Sequence, residues 1–418
     1  MKVVVLGAGA IGVATAYYLQ RLGHDVTVIE RQSGAALETS FGNGAIIHAS
    51  EAGPWSQPGM PLKILKWLGR EDAPVLLRAA ALPQMWRWGL SFLANCSSDR
   101  FRQNAQANLR LVLYSLRSLQ EIRAETGIDY DHATNGVMKI YRDPQSFAAG
   151  RAKVAALAAH GLVADELSPA DCARVEPALA DTASSLVGGL HFTRDETGDC
   201  NLFMQGLASH LAQRGVTFHY DTRIDRLVAQ SGRITAVETS RGPIDADIVV
   251  AALGSFTPHL LRPLGLKLPI YPVKGVSVTV PAAGWNAAPR MAIIDDGRMF
   301  GLIRIGDRLR VAGSAEITDY DTTPSPARIK AVIGKALETF PGFARCYAPE
   351  TAKVWAGLRP VTPSGVAYMG RTPISNLIVN AGHGHLGWTM SCGAGRLVAD
   401  IVSGRPPGID MAGFPTLH

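Results

Sequence analysis

Two glycine-rich stretches near opposite ends of the chain have the spacing that lets backbone N–H groups close on an anion. They are Gly7-Ala8-Gly9-Ala10-Ile11-Gly12 and Gly382-His383-Gly384-His385-Leu386-Gly387. In the first, Gly7 lets the chain turn sharply, Gly9 admits a pyrophosphate close to the backbone, and Gly12 permits tight packing of helix on strand. The diphosphate then rests on the free N–H groups of the helix that Ala10 and Ile11 begin. Glu30 stands eighteen residues past Gly12, where a carboxylate accepts hydrogen bonds from an adenosine ribose and repels a 2′-phosphate, so NADP is disfavoured. Arg31 adjoins it, and the small polar loop 33–50, with Ser40, Asn43 and Gly44, runs on along the same ligand.

The second stretch predicts a different contact. Only 31 residues follow it, too few for another strand closing on an acid, so a second dinucleotide is disfavoured. A helix N-terminus at this point could instead face a flavin, whose pyrimidine end gathers negative charge on reduction. Gly382, His383, Gly384, Leu386, Gly387, Trp388 and Thr389 are the expected contacts there. His383 and His385 have no cysteine or carboxylate at ligand spacing, so no metal is expected. Ser40 and Cys392 are the nearest candidates for a nucleophile, and each reads better as a small residue filling a tight loop.

The elements that must position these loops follow from local pattern. Val3–Leu6 reads as a buried strand, 10–22 as a helix and 25–29 as a second strand, a complete βαβ opening. Residues 247–253 form another buried strand, turning at Gly254. Residues 376–381 form a strand before the second glycine loop, and a helix runs from Met390 to Ser403. Residues 109–122 and 201–214 have helical periodicity. Strands are expected at 216–220, 224–230 and 233–239, and an antiparallel sheet over 270–314 with a hairpin at Gly306-Asp307. A helix follows from about Ser325 to Phe340.

Between Leu62 and Leu93, leucines and tryptophans recur at helical spacing with Lys63, Lys66, Arg70, Arg78 and Arg87 among them. The expectation is the core face of a helical subdomain, and the alternative is an amphipathic face lying on a membrane.

At 418 residues, 47% hydrophobic and 18% charged, the chain is globular and long enough for two domains. A net charge of +6 without a basic block argues against nucleic acid. Five dispersed cysteines without C-x-x-C fit a reducing compartment. The N-terminus lacks a secretory pattern, and no apolar run reaches membrane-spanning length. A cytoplasmic location is expected, on the inner face of the cell membrane if the basic aromatic stripe lies on lipid.

Several blocks resemble the flavin-dependent D-amino acid dehydrogenases of the glycine oxidase and D-amino acid oxidase superfamily. They are 38–41 (ETSF), 61–63 (PLK), 195–200 (DETGDC), 271–275 (YPVKG), 357–363 (GLRPVTP) and 382–390 (GHGHLGWTM). The resemblance implies an α/β fold: a Rossmann-like FAD-binding domain (1–52, 146–255 and 345–418) and a discontinuous mixed-sheet substrate domain (53–145 and 256–344). It implies noncovalent FAD, since 357–363 lacks the cysteine that tethers flavin in sarcosine-oxidase-like relatives. It also implies oxidation of a small D-amino acid or cyclic imino acid to a 2-oxo acid and ammonia, with electrons passing to a quinone or other electron-transfer partner.

Arg359 matches the arginine that binds substrate carboxylate in the glycine oxidase group, and a guanidinium suits that task through two parallel charge-assisted hydrogen bonds. Tyr271 would add a phenolic donor. His48, Lys274 and His385 would face the flavin or influence the amine proton. A D-hydroxyproline dehydrogenase, a related amine oxidase, an NAD-linked reductase and a flavoprotein subunit of an electron-transfer complex are the competing readings.

Overall fold

The computed structural model describes residues 1–71 and 73–417. The βαβ opening forms as the pattern predicts: strand Lys2–Leu6, helix Ala10–Arg21 and strand Asp25–Ile29. Lys2–Leu6 lies between Asp25–Ile29 and Ile248–Ala251, parallel to both. Thr217–His219 and Leu377–Ala381 extend this sheet in parallel, and Tyr368–Arg371 adds an antiparallel edge. It therefore has six strands among the described residues. Val4, Val5, Leu6, Val249, Val250 and Leu377 are almost wholly buried, as parallel strands covered on both faces must be.

Helix packing brings the chain's two ends together. The closing helix Gly387–Val402 lies against Ala10–Arg21 and the long helix Ser98–Thr126. Glycines permit the approach: a Cβ on Gly395 would stand 2.6 Å from the Ala14 carbonyl carbon, and one on Gly393 2.8 Å from Ser115 Cα. The closing helix begins at Gly387, not at Met390 as periodicity suggests, after a short 3₁₀ turn Gly384–Leu386. Its N-terminus thus falls on the glycine motif itself.

A second, mixed sheet has ten strands among the described residues. Tyr271–Pro281 is its centre, pairing antiparallel with Arg308–Ala312 on one side and Lys353–Val361 on the other. The Gly306-Asp307 turn joins Phe300–Ile305 to Arg308–Ala312, with Gly306 at φ 57°. Asp165–Leu167, Gly188–Phe192 and Lys353–Val361 are members of this sheet, although they fall within the stretches 146–255 and 345–418 assigned from sequence to the FAD-binding unit. Asp165–Leu167 pairs with Gly188–Phe192, which in turn pairs with Val137–Tyr141, and Lys353–Val361 pairs with Tyr271–Pro281, which is distant in the chain.

The stripe between Leu62 and Leu93 departs from expectation. Met60–Trp67 and Leu82–Ala94 are helices, but they form an outer layer and not a core. Met60, Met85 and Phe92 are buried, whereas Leu62, Leu65 and Leu90 are 66%, 65% and 61% exposed and Trp86 is 53% exposed. Two short helices lying on a surface cover only the narrow edge they turn inward, so most of the stripe faces out. Among the described residues no helix is long and apolar enough to cross a membrane.

Candidate active site

The first glycine loop does the three things its spacing requires. Gly7 sits at φ 100°, which disfavours any side chain. A Cβ on Gly12 would overlap the Gly7 carbonyl oxygen, so helix and strand touch here. A Cβ on Gly9 would meet only Ser40 Oγ, at 3.9 Å, which leaves space above the helix start. Gly9 supplies no side-chain cap to Ala10–Arg21; Ser40 Oγ accepts the Ala10 N–H at 3.2 Å.

Glu30 caps the strand end, its carboxylate accepting the N–H groups of Ala8 at 2.8 Å and Gln32 at 2.9 Å. Burial raises its pKa, against those two donors. Arg31 pairs with Glu38 at 2.5 Å and lies 4.0 Å over the Phe256 ring. Asn43 Oδ1 accepts the Ala45 N–H, and its carbonyl accepts from Arg310 Nη1, each at 2.9 Å. Ser277 Oγ donates to the Gly42 carbonyl at 2.7 Å. The loop is therefore clamped to the second sheet. A Cβ on Gly44 would meet nothing within 4 Å, and Gly254 turns the chain at φ 54°.

The closing loop shows a similar division between backbone and side chains. Gly382 and Gly384 have φ 90° and 55°, and the space at Gly384 is open. The closing helix has no side-chain cap and no acid in its first turn, so its free N–H groups can serve an anion. Both ring nitrogens of buried His383 lack a partner among the described residues, and burial drives its pKa down to about 3. Leu386 and Trp388 instead send their side chains into the core, where Trp388 packs against Phe203 and Tyr130. Thr389 Oγ1 accepts the His48 N–H at 3.4 Å and so braces the strand Ile46–Ile47.

Arg359, His48 and His385 lie near one another, and Tyr271 stands on the same sheet face as Arg359. Arg359 and Tyr271 share a face of the second sheet, because Arg359 pairs with Val273 and Tyr271 with Val361. Arg359 Nη1 donates to the Ser314 carbonyl at 3.0 Å. Arg359 forms no ion pair among the described residues, and burial pulls its pKa down to about 10. His385 lies within electrostatic reach of His48 and Arg359. Burial depresses His385 to about 3 and His48 to about 4, and His48 Nδ1 has no partner among the described residues. Burial raises the Tyr271 hydroxyl to about 12.

Lys274 points elsewhere: it is buried against Asp321 at 2.8 Å, the Thr323 carbonyl at 3.0 Å and Glu316 at 3.3 Å.

Two features of the cleft lay beyond sequence reading. Trp55 stacks on His385 with ring centroids 5.0 Å apart and lies 5.8 Å from the Arg359 guanidinium carbon. Glu51 joins Lys139 at 3.1 Å and Lys153 at 2.6 Å. Burial opposes its ionisation, but the two ammonium groups hold Glu51 well below the usual carboxylate range. Neither feature has a local motif, since their partners come from separate elements.

Space at Gly9, Gly44 and Gly384, the uncapped start of the closing helix and a His383 ring without a partner among the described residues fit an elongated ligand carrying both a diphosphate and a flavin. A family profile described as FAD dependent oxidoreductase matches residues 2–401. The chain belongs to that family. FAD is accordingly its cofactor, and the chain is a flavin-dependent oxidoreductase.

The chain is 48% identical to a D-amino acid dehydrogenase of Paramagnetospirillum magneticum, over 99% of this chain and 98% of the relative. It is 47% identical to one of Allorhizobium ampelinum, over 99% and 97%. Its fold is similar to that of glycine oxidase from Geobacillus kaustophilus (TM-score 0.76, 22% identity, 99% of this chain and 97% of that one). It is similar also to L-proline dehydrogenase from P. horikoshii (TM-score 0.76, 19% identity, 97% and 94%).

Proposed function

We propose that this protein oxidises small D-amino acids or cyclic imino acids to the corresponding imines, which water converts to 2-oxo acids, releasing ammonia from primary amines. A quinone or another non-oxygen acceptor then takes the two electrons. The observation that carries this reading is Arg359: a half-buried guanidinium with no carboxylate partner among the described residues, near the closing glycine loop through Trp55 and His385. An unpaired cation in a poorly solvated place favours binding of an anion, and a carboxylate matches its fork. The whole-length likeness to relatives named D-amino acid dehydrogenase supports the same substrate class.

Bound noncovalently, FAD supplies a hydride acceptor at N5. Gly7, Gly9, Gly12, Ser40 and Glu30 would hold its adenosine diphosphate half, and Gly382 to Gly387 its ring end. Arg359 would bind the substrate carboxylate and fix where Cα lies, with Tyr271 as a second donor; positioning of this kind is the protein's main contribution. His48 and His385 stay uncharged at neutral pH. They therefore add no cation beside the amine, which favours its neutral form, the form whose nitrogen can push electrons toward Cα.

The exposed face of Met60–Trp67 and Leu82–Ala94, fringed by Lys63, Lys66 and Arg87, suits peripheral contact with an anionic membrane, where a lipid-soluble quinone would reside.

The deciding experiment is anaerobic addition of D-alanine, D-proline and cis-4-hydroxy-D-proline to the yellow protein, with L-alanine as control. Bleaching by D-substrates is expected. Bleaching by the hydroxyproline alone would assign a D-hydroxyproline dehydrogenase. No bleaching by any of them would leave a flavoprotein subunit without this activity. Reoxidation by a soluble quinone but only slowly by air is the result expected for a dehydrogenase.

A further inference from the structure

Gly275 and Gly357 face each other across neighbouring strands, and together they make a trough without side chains in the sheet surface. Each flank of the trough is filled by a large planar group. Arg359 lies over Gly275: a Cβ added there would stand 2.5 Å from Arg359 Cζ and Nη2, and closer still to Nη1. Trp355 lies over Gly357 in the same overlapping way, and a Cβ on Gly42 would stand 2.5 Å from the Trp355 ring. Trp355, Gly357 and Arg359 share one strand face, as alternate residues do. The trough therefore seats the guanidinium on one side, and on the other the indole that packs against the 38–45 loop.

We propose that Gly275 is a positioning residue for substrate binding, resting on the carboxylate role of Arg359 given above. The absence of a side chain lets the guanidinium lie flat over the strand. Its Nη1 is tied to the Ser314 carbonyl, an arrangement that would leave its Nη2 edge for a carboxylate. The clash that an alanine would create is with the far end of a flexible side chain, not with backbone, so the sheet can keep its register while the guanidinium moves. Ordinary contact begins at 3.4 Å, so the fork must retreat by about 1 Å, a misplacement that can cost on the order of 100-fold in rate.

The test compares Gly275→Ala, Arg359→Ala and the double variant in FAD-loaded protein. Benzoate, a carboxylate without a reactive amine, serves as the binding probe through its perturbation of the flavin spectrum. Gly275→Ala should raise both the KM for D-amino acid and the benzoate Kd by ~10- to 100-fold, with flavin content unchanged. In the Arg359→Ala background the same substitution should add nothing, because no guanidinium remains to displace. Wild-type KM and benzoate affinity in Gly275→Ala would overturn the proposal, as would losses that multiply in the double variant.

If Gly275→Ala unfolds early, the double variant should recover the Tm of Arg359→Ala alone; equal instability of the double variant would also overturn it. Benzoate binding needs no turnover. A wild-type protein that binds benzoate but is not reduced by D-amino acids would therefore reject the reaction and leave the seat standing.

Discussion

A half-buried guanidinium without a carboxylate raises the free energy of the ligand-free site, and an arriving anion offsets that cost. Arg359→Lys should accordingly raise the KM for D-amino acid by ~10- to 100-fold, since a lysine ammonium cannot reproduce a two-bond fork. Flavin content should not change, which separates substrate from cofactor binding; a KM like that of the unmodified protein would remove Arg359 from its role. Asp195 makes a second single-residue test. Its carboxyl accepts the Ala49 N–H at 3.1 Å and the Ser50 hydroxyl at 2.5 Å, just before Glu51 in the cleft. Burial nevertheless raises its pKa from 3.8 to about 6. A folded-state pKa above the unfolded value means stability that is present below pH 3.8 and lost as pH rises through about 6. Asp195→Asn should therefore flatten this part of the profile and gain most above pH 6, on the order of 3 kcal/mol. Urea unfolding between pH 4.5 and 7.5 measures it.

Whole elements respond differently from single side chains. Helix Ala10–Arg21 touches its strand through Gly12, so Gly12→Ala must separate two backbones. It should destabilise the fold by ~1–3 kcal/mol or more and lose FAD as well. Gly44→Ala meets open space in the protein; it should leave the Tm of the apoprotein unchanged while lowering flavin retention. A drop in apoprotein Tm would show that the space is not for a ligand. The two outer helices offer the corresponding test for lipid. Leu65 and Leu90 are 65% and 61% exposed, so Leu65→Glu with Leu90→Glu should cost almost nothing in stability. The pair should abolish co-sedimentation with vesicles containing phosphatidylglycerol, and wild-type protein should bind neutral vesicles far more weakly. Equal pelleting of wild type and variant would dismiss the contact.

For the molecule as a whole, the predicted FAD-binding residues come from both ends of the chain, so the cofactor should act as a tie between them. FAD at 100 times its Kd should stabilise the fold by ~2.7 kcal/mol by mass action. Calorimetry of apoprotein titrated with FAD should show Tm rising with its concentration, and a constant Tm would contradict a dissociable cofactor.

The opening βαβ unit, the turn at Gly7 and the strand before Gly382 were legible because each depends on neighbours within about twenty residues: apolar periodicity, a glycine and a charge at fixed spacing. The strand Lys353–Val361 was not, since it carries Arg359 only by pairing with Tyr271–Pro281 eighty residues earlier. Trp55 against His385 and the glycine trough under Arg359 likewise exist only once segments distant in the chain meet. The stripe from Leu62 to Leu93 makes the same point from the other side. Its periodicity correctly announced helices, but a helix with an apolar face looks identical in sequence whether that face turns to a core or to the outside. Local chemistry determined which residues could bind an anion or turn a chain. Long-range packing decided which of them share a cleft and which face lies exposed, because burial is a property of what arrives from elsewhere.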